Sequence, residues 1–230
     1  MKNMARALSA LLFLSLLFLA GCGLPTVTYL YPPLDMTVDS NIVKVHNNSN
    51  NYEASEGINQ TFKGIELFYR VYQNESTASA ALATLGSLAD TYSSDPESFI
   101  AIATNDTYRF LRLRNSKTTI APLLALAATD DNDYYLNLNS ATDWTLTDSS
   151  NTSVFTDGST IIRDLDTSTS NTSFYLKDFM AGDDDFNGST INTGDTVYIV
   201  FFSISFGVDQ TTVGQTVYSV PYIPTTYASY

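Results

Sequence analysis

The sequence predicts a mainly β protein: an antiparallel β-sandwich with one inserted amphipathic helix. Three observations carry this. Short apolar runs separated by polar, turn-forming stretches recur from residue 26 to the C-terminus. Between Phe62 and Tyr72, Ile65, Leu67, Tyr69 and Val71 alternate with Glu66, Phe68, Arg70 and Tyr72, the two-residue period of a strand with one aliphatic face. After Ser76 the period changes. Ala78, Ala81, Leu82, Leu85, Leu88, Ala89 and Tyr92 recur every three or four residues, as on one face of a helix.

The amino end is built differently. Lys2 and Arg6 supply positive charge, and residues 7–20 are nearly all Leu, Ala, Phe and Ser. That is the length of a secretory apolar region and short of a comfortable membrane span. It runs into Leu19-Ala20-Gly21-Cys22, an aliphatic residue and two small ones before the sole cysteine. This pattern resembles the lipobox of bacterial lipoproteins. The resemblance implies that residues 1–21 are a signal peptide, that the Cys22 thiol is diacylglycerylated, and that the amine freed by cleavage is acylated, for example by palmitate. Two or three acyl chains hold far better than one, at roughly 0.8 kcal/mol per buried CH₂. Residues 22–230 then form a single lipid-anchored domain on the cell membrane or outer membrane, facing the periplasm or the cell surface. An ordinary secretory signal beside an incidental cysteine is the competing reading.

Along the mature chain, residues 26–31 read as an edge strand closed by Pro32-Pro33, and 41–45 as a second strand. A polar loop spans 47–56, and the alternating strand 62–72 leads into the helix. Asn74 or Ser76 would cap that helix, with Asp95-Pro96 beyond its end. Strand-like runs follow at 99–103, 109–113, 119–127, 134–138, 144–147, 160–165 and 174–176. Residues 197–206 carry apolar side chains on both faces, which predicts a central strand covered on both sides. Residues 216–223 form the last run.

The order of these runs resembles a fibronectin type III sandwich, with 62–72 as its third strand, 197–206 as its sixth and 216–223, containing Ser219-Val220-Pro221, as its last. The resemblance covers about a third of the chain, and its combination with a lipobox is similar to lipoproteins of spirochaetes. The sequence departs from it in two ways. The only tryptophan is Trp144 rather than one in the second strand, and the third-like to sixth-like interval is too long for a module of roughly 100 residues. A sandwich elaborated by an insertion containing the helix is therefore expected, with another β fold as the alternative.

Composition narrows the chemistry. Loss of Lys2 and Arg6, with no acid, takes the formal charge from -13 to -15 on processing. Nucleic acid, whose phosphates need clustered cations, is a poor partner. With Cys22 acylated no thiol remains, and His46 is the only histidine, in a polar context that reads as surface. Nucleophilic catalysis and zinc ligation lack their usual groups, so the chain is expected to be non-catalytic and without an obligatory cofactor. A carboxylate pair working across a cleft is the one hydrolytic arrangement left.

Asp183, Asp185, Asn187 and Gly188 match the first half of a calcium loop, oxygen ligands at alternate positions and then a glycine. Gly194 stands where a bidentate Glu belongs, so a looser calcium turn closed by Asp195 is one reading and a solvated acidic hairpin the other. Asp130-Asp131-Asn132-Asp133 is a weaker match, having no glycine. Four of the nine basic residues left after processing, Arg109, Arg112, Arg114 and Lys117, fall within nine positions. They read either as an anion-binding stripe or as a charged edge strand that discourages edge-to-edge pairing. The functional expectation is an envelope lipoprotein presenting a β-sandwich to a protein or glycan ligand. An assembly subunit and a carboxylate hydrolase stand behind it.

Overall fold

The structure is a computed structural model that describes residues 30–51, 60–117, 122–139, 143–163, 165, 174–192, 194–209 and 215–229. Leu19, Ala20, Gly21 and Cys22 lie outside them, as does most of the strand expected at 26–31.

Two sheets pack face to face. The smaller holds β1 (Asp35–Asp39), β2 (Ile42–His46), β7 (Asp133–Asn137) and β8 (Thr145–Asp148), in that order and antiparallel throughout. The larger is built on β3 (Gln60–Tyr72) and β11 (Tyr198–Asp209), paired antiparallel along twelve residues. Short strands tile both outer edges of this pair. Against β3 lie β4 (Leu111–Arg112), β6 (Leu124–Ala125) and β10 (Phe186–Asn187), the last of them parallel; against β11 lie β12 (Gln215–Tyr218) and β13 (Ala228–Ser229). Among the described residues, these short strands cover much of the outer edges of β3 and β11, where another chain could otherwise pair. A separate two-stranded ladder joins β5 (Arg114–Asn115) to β9 (Ile161–Ile162).

The period-two pattern of β3 maps onto three layers. Ile65, Leu67, Tyr69 and Val71 point between the sheets with Met36, Val43, Val45, Leu136 and Leu146 from the smaller sheet and Ile199 and Phe201 from β11. Phe68 and Tyr72, on the other face, join Val200, Phe202 and Ile204 under the helices α1 (Glu75–Thr91) and α2 (Pro96–Ala103). β11 is thus covered on both faces, as its doubly apolar sequence predicts, and Phe68 stacks on Phe202 at 4.6 Å. Trp144 and Phe174 stack at 3.8 Å inside the sandwich. Gly64 (φ 144°) lets β6 approach, since a Cβ there would lie 1.8 Å from the Leu124 carbonyl oxygen.

Several sequence expectations are corrected. Residues 99–103 belong to α2, so there are two helices where one was expected. The Asp95-Pro96 pair does lie beyond the end of α1, as expected, and it also starts α2. The Asp95 side chain accepts from Ser98 N at 3.1 Å, and Pro96 fits a first helical turn, where its missing N–H costs nothing. A five-residue apolar run cannot by itself be told from a strand. Residues 176–178 form a 3₁₀ turn. β1 lies in a stretch between the strands expected at 26–31 and 41–45 for which no strand was expected, although Met36 and Val38 alternate with Thr37 and Asp39. The run 109–113 is shortened at its start, where Arg109 has φ 49°; Leu111 and Arg112 pair with β3, and Leu113 N still donates to the Leu67 carbonyl at 2.8 Å.

Candidate functional site

The acidic loop at 183–187 turns one of its acids inward: Asp185 is buried while Asn187 stays exposed. Val71 and Gln73 donate their amides to the carbonyls of Asp185 and Asn187, laying the loop along β3. Asp185 is thereby carried fully into the interior, where Arg163, itself 1% exposed, meets it. Arg163 Nε donates to Asp185 Oδ2 at 2.8 Å and Nη2 donates to Oδ1, a two-pronged pair. Nη2 also reaches Asp183 Oδ2 at 2.6 Å, Nη1 donates to the Asp178 carbonyl at 2.9 Å, and the guanidinium lies 4.1 Å from the Phe179 ring centre. Tyr69 hydroxyl donates to Asp185 at 2.5 Å. Burial is the largest single influence on Arg163 and works against its charge, but the hydrogen bonds and charges of Asp185 and Asp183 together overcome it and the pKa is raised. Burial, then Asp185, pushes the Tyr69 phenol well up.

Of the four residues expected to ring a calcium ion, Asp183 and Asp185 converge on a guanidinium. Asn187 sits in β10, and Asp195 accepts from Asn192 N at 2.7 Å to close its own turn. Among the described residues, no three His, Cys, Asp or Glu side chains are grouped to hold a metal. The cation here is Arg163, which lies twenty residues before Asp183 in a run read as strand. Its buried pair fixes where the loop docks, and such pairs add little net stability for the desolvation they cost.

The basic stripe is likewise dispersed. Arg109 pairs with Asp184 at 3.2 Å, Arg112 with Glu66 at 2.9 Å and Lys117 with Asp157 at 3.8 Å, while Arg114 lies in β5 opposite Ile162. Three of the four thus sit on separate acids. Sequence gave no hint of the Glu66 pair. Glu66 is on the helix-facing side of β3, fully buried, and its Oε2 has no hydrogen-bond partner. Burial raises its pKa from 4.5 to about 7 against the attraction of Arg112 and Arg114.

His46 ends β2 opposite Asp133. Its ring nitrogens lie 2.7 Å from Asp133 Oδ1 and 3.2 Å from Asp131 Oδ1. The Asp133 hydrogen bond is the main cause of a raised histidine pKa, and His46 in turn holds Asp133 low. His46 is thus a partly buried cross-strand tie, not the freely solvated residue its polar sequence context suggests.

Two concavities lie at opposite ends of the β3–β11 ladder. At the Tyr198 end a polar cleft of about 350 Å³ is lined by Gln73, Asn74, Glu75, Asp195, Thr196 and Tyr198. Tyr227 closes its flank, donating to Glu75 Oε1 at 2.6 Å and meeting the Tyr198 ring edge-on at 5.6 Å. The Asn74 side chain, at the N-cap of α1, makes no capping bond. At the Gly207 end an apolar groove of about 410 Å³ is lined by Leu30, Pro32, Ser93, Ser94, Pro96, Tyr218 and Val220. Leu30 reaches this end because its Cδ1 lies 3.0 Å from where a Cβ of Gly207 would stand. Tyr198 and Gly207 are nine residues apart on β11, about 30 Å. Comparison with protein families, curated proteins and solved structures finds no match for this chain.

Proposed function

We propose that this chain is a lipid-anchored envelope protein, acylated at Cys22, non-catalytic, and presenting the Tyr198 end of its sandwich to a protein or glycan ligand. One observation carries the spatial part. Leu30, eight residues after Cys22, lies at the Gly207 end, and the polar cleft lies about 30 Å away at the other. An anchor at one pole and a binding surface at the other suits a tethered receptor. Tyrosine rings, amides and carboxylates around one cleft are groups that recognise sugars and polar protein loops. Catalysis is disfavoured because the two acids of the cleft are already engaged within the fold, Glu75 accepting from Tyr227 and Asp195 from Asn192. The fibronectin type III likeness fits as well, since the runs that carry it lie side by side in the order β3, β11, β12.

Two measurements test this. Cys22→Ser should abolish incorporation of labelled fatty acid, and continued labelling would refute the assignment of the anchor. Protease applied to intact and lysed cells should then separate a surface domain, digested in both, from a periplasmic one, digested only after lysis. Soluble recovery of the wild-type protein without detergent would sink the anchored reading altogether.

A further inference from the structure

We propose that the apolar groove beside Leu30 is a lipid-contact site that seats an acyl chain of a bilayer phospholipid. The inference rests on the anchor reading. Its first support is position. Leu30, in the groove wall, is eight residues after Cys22, and eight residues span at most about 28 Å. A bilayer holding the acylated cysteine therefore lies within that distance of the groove mouth.

The second support is the chemistry of the walls. Leu30, Pro32, Pro96 and Val220 present hydrocarbon, and the two prolines have no N–H to offer. Tyr218 adds a ring whose hydroxyl lies toward the partly buried Arg112 and its partner Glu66. Such a lining satisfies a ligand that makes no hydrogen bonds and would leave a polar one unpaired. Ser93 and Ser94, both exposed, supply the polar rim that a headgroup needs.

Charge selects the lipid to be used as probe. Asp95 and Glu97 stand beside the groove at the start of α2, and the processed chain carries a formal charge of -15. An anionic bilayer is repelled, whereas a zwitterionic one meets no net opposition.

The test uses the full lipidated protein reconstituted into phosphatidylcholine vesicles whose acyl chains carry a photoactivatable diazirine. After irradiation, label should concentrate on peptides containing Leu30, Pro32, Tyr218 and Val220, with none on those containing Glu75 or Tyr198. Val220→Asp should lower groove labelling at least fivefold with vesicle flotation unchanged. Ser93→Trp, at an exposed rim position that leaves the core intact, should do the same by blocking entry. Flotation with no label in the groove, or label unchanged in both variants, would overturn the inference while leaving the anchor standing. Wild-type protein that floats no better than Cys22→Ser would overturn both.

Discussion

Glu66→Gln should make this protein more stable at neutral pH, although it removes one partner of an ion pair. Glu66 is fully buried, and burial lifts its pKa from 4.5 to about 7. The folded state therefore holds the Glu66 proton more tightly than the unfolded state does. Its contribution is intact below pH 4.5, falls as the unfolded chain ionises, and is wholly lost above about pH 7. At 1.36 kcal/mol per pKa unit the loss across that window is about 3 kcal/mol. Glutamine keeps the shape and cannot ionise. Arg112, only partly buried, can turn to water when its partner is neutral. Wild type and variant should thus be equally stable at pH 4.5 and differ by about 3 kcal/mol in the variant's favour at pH 8. The assay is urea unfolding followed by the fluorescence of Trp144, which is 1% exposed and stacked on Phe174. Every other titrating group contributes equally to both proteins, so the difference isolates Glu66. Parallel pH profiles, or a variant less stable at pH 8, would refute the reasoning.

Arg163→Leu should cost about 3–5 kcal/mol, since it strands Asp185 in the interior, and Arg163→Leu with Asp185→Leu should recover much of that. A single variant within 1 kcal/mol of wild type would mean the pair does not hold the loop. Calcium at millimolar concentration should leave the melting temperature of chelator-treated protein unmoved, because Asp183 and Asp185 are committed to Arg163; a rise would contradict that commitment. His46→Asn should lower stability by less than about 1 kcal/mol at pH 5.5 and by less still at pH 9. The raised histidine pKa means its contribution is complete below pH 6.5 and lost as pH climbs through the folded value. A larger penalty at pH 9, read from melting temperatures, would reverse the assignment.

What the sequence determined by itself is local and periodic. The alternation of Ile65, Leu67, Tyr69 and Val71 against Glu66, Phe68, Arg70 and Tyr72 decides which face of β3 meets the other sheet and which meets the helices. The doubly apolar run in β11 decides that it is central, and the helical stripe read between Ser76 and Tyr92 gives α1 to within a residue at each end. These succeed because burial of one face is written into neighbouring residues. Shorter pieces fail: two-residue strands such as β4, β6 and β10 carry no period, and the Asp95-Pro96 signal marks a helix start as readily as a helix stop. The candidate sites were legible only as residue types. Arg163 lies twenty-two residues from Asp185, Arg112 forty-six from Glu66, and His46 eighty-seven from Asp133. Which acid neutralises which base depends on strand neighbours that no local pattern encodes. The tertiary structure turned a calcium-like loop into a buried ion-pair dock and scattered the basic stripe onto separate acids. It also set the polar cleft and the apolar groove at opposite ends of one ladder, because a strand long enough to be central is long enough to hold two surfaces apart.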